Sequence, residues 1–178
     1  YMKMIQTNKK NRGFSLIELV IVMAIAAILI GGVAIGIGIL KTANTRGLAD
    51  RINSSFSELK TKNAGGKDRQ YLHIYRKDKA YYVQFTNSNT LAVSDFDKGT
   101  RLGKGDCIVK FGGGAELANN GVYSFTVSKK DGSFGDKYYK DGVEQVLTSP
   151  FEIEVTATNG DPKHSVYLVS NTGRHYVE

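Results

Sequence analysis

The chain of 178 residues carries one cysteine, two prolines, 20 glycines and 41% hydrophobic residues. A lone Cys107 closes no intramolecular disulfide, which excludes the small cross-linked scaffold and leaves a hydrophobic core to hold one domain of ordinary size. The formal charge of +7 names no single partner, because it divides into +4 over residues 1–13, −1 over 14–40, +7 over 41–104 and −3 over 105–178.

Residues 19–40 contain no charged or strongly polar side chain. Such a run predicts a membrane-spanning helix, since roughly 20 apolar residues cross a bilayer core. Lys3, Lys9, Lys10 and Arg12 precede it with no acid among them, which predicts the N-terminus inside and the C-terminal part outside. A secretory signal peptide is the first competing reading, but its apolar region is typically about 7 to 15 residues and ends in a small-x-small site. The run here is longer. Glu18 stands near its start, and an acid within a membrane helix is costly enough to need a partner. One reading lets Glu18 snorkel to the interface beside Lys10 and Arg12. The other has cleavage after Gly13 create a new amine on Phe14, with Glu18 pairing with the amine of a neighbouring subunit.

Lys9-Lys10-Asn11-Arg12-Gly13-Phe14-Ser15-Leu16-Ile17-Glu18-Leu19 followed by an apolar helix resembles the class III signal of type IV pilins and pseudopilins. The resemblance implies that a prepilin peptidase cuts after Gly13 and methylates Phe14, and that Glu18 registers the subunit during filament assembly. The stretch Val166 to Arg174 resembles, over a short length, the closing hairpin of the minor pseudopilin group that includes GspH and FimT. An uncleaved single-span membrane protein is the alternative.

Beyond Leu40, Leu48, Ile52, Phe56 and Leu59 follow spacings of 4, 4 and 3, one face of a helix that stops at Asn63-Ala64-Gly65-Gly66. Gly31, Gly32, Gly36 and Gly38 interrupt the helix upstream, and Gly32 and Gly36 make a G-x-x-x-G pair suited to close packing. In a pilin-like protein these glycines would mark the section able to bend or melt. From residue 67 the period changes to two: Tyr81, Val83 and Phe85; Cys107, Val109 and Phe111; Tyr123, Phe125 and Val127; and Phe151, Ile153 and Val155 each form one face. Turns are expected at Arg76 to Lys79, Gly112 to Gly114, Asp131-Gly132, Asp141-Gly142, Asn159 to Pro162 and Asn171 to Gly173. The expected organisation is a basic leader over 1–13, a transmembrane and assembly helix over 14–40, an amphipathic helix over 41–63 and a β-rich head over 64–178. The fold class is α+β, a long N-terminal helix packed on antiparallel sheets.

No phosphate loop, nucleophile elbow or H-E-x-x-H zinc helix occurs, so an enzyme is not expected, nor a cofactor. His73, His164 and His175 are separated in sequence and read as surface or interface residues; Cys107 reads as a core thiol. Asp95, Asp97 and Asp106 offer oxygens, but the segment lacks a closing bidentate acid and reads as a solvated loop without metal. Lys67, Arg69, Arg76, Lys77 and Lys79, with Tyr71, Tyr75, Tyr81 and Tyr82 interleaved and Arg174 near the end, are the candidate DNA contacts. The competing reading is solvated charge or contacts with acidic faces of neighbouring subunits. The expected function is a structural, minor subunit of a type IV pilus or type II secretion pseudopilus. Its expected partners are prepilin peptidase, other pilin or pseudopilin subunits and the membrane, and a DNA-binding competence subunit is the alternative.

Overall fold

The computed structural model describes residues 15–104 and 106–178. Its elements are α1 (Leu16–Gly65), β1 (Tyr71–Lys77), β2 (Ala80–Thr86), a 3-10 turn (Val93–Lys98), β3 (Thr100–Lys104), β4 (Cys107–Phe111), β5 (Val122–Thr126), β6 (Lys137–Lys140), β7 (Val143–Val146), β8 (Phe151–Ala157), β9 (Lys163–Val169) and β10 (Arg174–Val177). The chain divides into two compact units at Ile39 and Leu40. The first unit holds the start of α1; the second holds the rest of the helix and every described strand.

In the second unit two antiparallel sheets form, one ordered β3-β2-β1-β5-β6-β7 and the other β10-β9-β8-β4. Leu48, Ala49, Ile52, Phe56 and Leu59 of α1 are buried at 0 to 3% exposure against them. The stripe read from the sequence is therefore the helix face that closes the core. Phe56 meets Phe125 and Phe134 edge-on, with ring centroids 5.4 and 5.6 Å apart, so one helical side chain touches both the large sheet and the loop before β6. Full burial of such a ring is worth about 1.5 to 3 kcal/mol.

The sheets join through aromatic residues of the alternating strands. Phe111 of β4 stacks on Tyr123 of β5 at 4.0 Å. The buried Tyr81 hydroxyl donates to the Cys107 carbonyl at 2.9 Å and accepts from the Val109 amide at 3.2 Å, satisfying edge groups of β4 that would be costly to bury unpaired. Phe151, Ile153 and Val155 point inward, and Val109 lies opposite Val155 in register.

The turns follow their residues. Asp78 and Lys79, at φ 47° and 61°, and Asp141 and Gly142, at φ 50° and 82°, are the two-residue left-handed loops that match strand twist. At the end of α1 the buried Asn63 donates to the Gln70 carbonyl at 3.0 Å and accepts from the Gln70 amide at 2.7 Å. This pair stands in for a strand partner at the point where helix gives way to sheet.

β1 is buried on both of its faces. Leu72, His73, Ile74 and Tyr75 are all buried, because residues 87–99 cover the outer face that an antiparallel sheet usually leaves to water. Tyr75 and Phe96 pack there at 4.3 Å, and the Tyr75 hydroxyl donates to the Phe96 carbonyl. Burial pushes that phenol up to about 12. His73 is thus not the surface residue the sequence suggested: its ring sits at 0% exposure. Its Nδ1 is 2.7 Å from Ser124 Oγ and its Nε2 2.7 Å from Thr86 Oγ1. Desolvation holds its pKa down at about 4, so it is a neutral core group.

Candidate assembly segment

Ser15 opens α1, with its carbonyl accepting the Leu19 amide at 3.1 Å. Ser15 and Glu18 therefore occupy the N-cap and third positions, the sequence spacing of a capping box, and Glu18 lies in the first turn where a negative charge favours the helix dipole. Among the described residues no side chain pairs with Glu18, and it is exposed. Two readings of Glu18 are therefore to be separated: local capping, which glutamine would also perform, and pairing with a charge from outside the chain, which glutamine would not. Gly13 and Phe14 lie outside the described residues.

The first turns of α1 are apolar on every side. Leu16, Ile17, Met23, Ile28 and Ile30 are 65 to 82% exposed, an apolar surface of the kind that marks a membrane or protein contact. Among the described residues no helix is long and apolar enough to cross a membrane; the expected run over 19–40 includes residues 31–37, whose side chains fall outside the described set.

The candidate DNA contacts do not form one surface. Lys67 and Arg69 precede β1, whereas Arg76, Lys77 and Lys79 stand at its far end, about 20 Å away at 3.3 Å per residue. Arg76 is bound to Glu116 and to the Leu117 carbonyl, and Lys77 to Asp97. Tyr75 and Tyr81 are buried at 0% exposure and cannot stack on bases. Arg174 belongs to the other sheet, with its guanidinium 5.4 Å from the Tyr176 ring. The cations and rings that alternate in sequence are distributed by the strand to different ends and faces.

The remaining chemistry is structural. Asp95 pairs with Lys98 and Asp97 with Lys77 within or beside the 3-10 turn, which occupies the carboxylates a cation would need. Among the described residues no group of three His, Cys, Asp or Glu could hold a metal. The Cys107 thiol is buried, and burial pushes its pKa up, away from reactivity. His175 faces α1, with Nδ1 2.7 Å from Asn53 Oδ1, while Lys60 donates to the Gly173 carbonyl at 3.0 Å; the last hairpin is clasped to the helix. Sequence reading missed Arg51 and Arg101, which flank a groove between α1 and β3. Their signal was the unbalanced +7 of residues 41–104, not a motif.

Comparison with known proteins finds the prokaryotic N-terminal methylation motif at residues 8–34. No curated protein and no solved structure matches the chain. The motif spans the Gly13-Phe14 junction, Glu18 and the start of the exposed apolar helix. The chain carries the class III prepilin signal ahead of a pilin-like α+β fold, consistent with a precursor of the type IV pilin or pseudopilin kind.

Proposed function

We propose that the chain is a structural subunit of a type IV pilus or type II secretion pseudopilus, cleaved after Gly13, N-methylated at Phe14 and assembled through the start of α1. The methylation motif at residues 8–34 is the observation that carries this reading. The precursor rests in the cytoplasmic membrane with its N-terminus inside and its head outside. Prepilin peptidase frees the Phe14 amine, and the apolar surface of residues 16–30 then exchanges lipid for the helices of neighbouring subunits. An amine carried into that apolar packing needs a counter-charge. Glu18, exposed and unpaired among the described residues, supplies it. The mechanism is assembly, and no catalytic group is required of the head.

Intact-mass and N-terminal peptide analysis of the protein from its own membranes tests the processing step. The expected product starts at Phe14 with one added methyl group. A chain that keeps residues 1–13, in cells whose other prepilins are cut, would defeat the proposal. Glu18→Gln and Glu18→Ala then separate capping from charge pairing. Both variants should be processed normally and both should lose filaments; assembly of the glutamine variant at the normal level would show that the helix cap, not the charge, is what matters.

A further inference from the structure

Five of the 13 cations of residues 41–104 form ion pairs among the described residues: Arg46 with Asp50, Lys62 with Glu58, Arg76 with Glu116, Lys77 with Asp97 and Lys98 with Asp95. Arg51 and Arg101 form none there, and they line the same groove. Arg51 donates to the Leu102 carbonyl at 2.6 Å and meets no carboxylate among the described residues. Arg101 is exposed and has no ion-pair or hydrogen-bond partner there.

These two guanidinium groups line both of two adjoining cavities, of about 400 and 690 Å³, between α1 and the β2–β3 side of the large sheet. Gly47 forms part of the first cavity's wall, and a Cβ built there would meet nothing within 4 Å, so the mouth is open. Asp106 also lines the first cavity, and in the second Lys62 is paired with Glu58 and Lys98 with Asp95, so the positive charge not already ion-paired in the second cavity is that of the two arginines.

The groove does not suit an added strand. Tyr81 lies opposite Gly103 and Tyr82 opposite Arg101, so Leu102 is the extra residue of a bulge, and Arg51 already occupies its carbonyl. A bulge and a capped carbonyl are how an edge is closed to strand pairing. What the groove offers is a pair of charged forks matched to carboxylates.

We propose that the Arg51–Arg101 groove seats carboxylates on the head of a second copy of this chain. The complement is on the same molecule: residues 105–178 carry a net −3, and Asp136, Asp161 and Glu178 are exposed and form no ion pair among the described residues. A contact between a positive surface on one copy and a negative surface on the next is heterologous, and such contacts propagate instead of closing into a dimer. The inference rests on the assembly reading above and names a head contact within it.

The test uses the full chain in the cells that assemble it. Arg101→Glu should reduce subunits recovered in the sheared filament fraction by about tenfold, while membrane level and cleavage at Phe14 stay as in the parent. Arg101→Lys should retain most of the assembly. Combining Arg101→Glu with Asp136→Lys, Asp161→Lys or Glu178→Lys should restore filaments in one of the three pairs. Assembly of Arg101→Glu at the parent level overturns the proposal. So does a loss that none of the three reversals repairs, because the free carboxylates of residues 105–178 would then not be what the groove seats. An unprocessed parent chain would instead remove the assembly reading, and the head contact with it. Arg51 is left intact throughout, since it also holds the β3 bulge.

Discussion

The two stretches of α1 on either side of Ile39 are both helical, and the chain uses them oppositely. In the first, the apolar residues of 16–30 point in all directions and are exposed; in the second, the stripe from Leu48 to Leu59 is buried almost completely. The difference is one of pattern and not of amount. A stripe can be satisfied by the chain's own sheets, whereas an all-round apolar surface can only be satisfied by something outside the chain. The pattern that folds the head thus lies after Leu40, and the one that calls for a partner outside the chain lies before it.

Substitutions on the two sides should accordingly report on different properties. Phe56→Ala removes a ring packed on Phe125 and Phe134 and should cost about 3 to 5 kcal/mol of head stability, read as a large fall in denaturant midpoint. Ile25→Ala, at a position 53% exposed, should leave the head's midpoint within about 0.5 kcal/mol of the parent. A comparable loss from both would erase the distinction drawn between the stretches.

Acid should weaken the second stretch's fold through a single ring. His73 has a folded pKa of about 4 against an ordinary 6.5, so the unfolded chain takes up a proton that the folded chain refuses. The stabilising contribution is complete above about pH 6.5 and falls away between there and pH 4, reaching a loss of roughly 3 kcal/mol at 1.36 kcal/mol per unit. His73→Gln should flatten that part of the profile. An unchanged slope would place the acid sensitivity elsewhere, with His175, which burial also pushes down, the next group to replace.

A smaller effect marks the approach of helix to sheet. A Cβ at Gly103 would lie 3.2 Å from Leu48 Cδ1, so Gly103→Val should cost about 1 to 3 kcal/mol by overpacking. The smallest belongs to the neighbouring groove: Gly47→Ala enters open space and should leave thermal stability unchanged or raise it by up to about 1 kcal/mol.

What the sequence made legible followed from periods and turn chemistry. The stripe from Leu48 to Leu59, the alternating faces of β4, β5 and β8 and the Asp78-Lys79 and Asp141-Gly142 turns are local patterns, and each strand or turn stands where its pattern placed it. The cover over β1 was not legible, because residues 87–99 have no period and their burial of Tyr75 and His73 depends on tertiary packing. The supposed basic patch failed for a related reason: spacing in sequence says nothing of which end of a strand a side chain reaches. The methylation motif was legible because it lies in one short stretch, residues 8–34, while the groove pairs Arg51 of the helix with Arg101 of a distant strand.

The covering segment over β1 also governs how the head meets proteases. Its central strand is shielded on one side by a helix and on the other by a stretch that is mostly without regular structure, anchored through Phe96 and the Tyr75 hydroxyl. Opening that stretch requires no strand to separate, yet it bares Tyr75, Phe96 and Val122 together. A nick between residues 87 and 92 would therefore convert a sealed sheet into one with a sticky aromatic face.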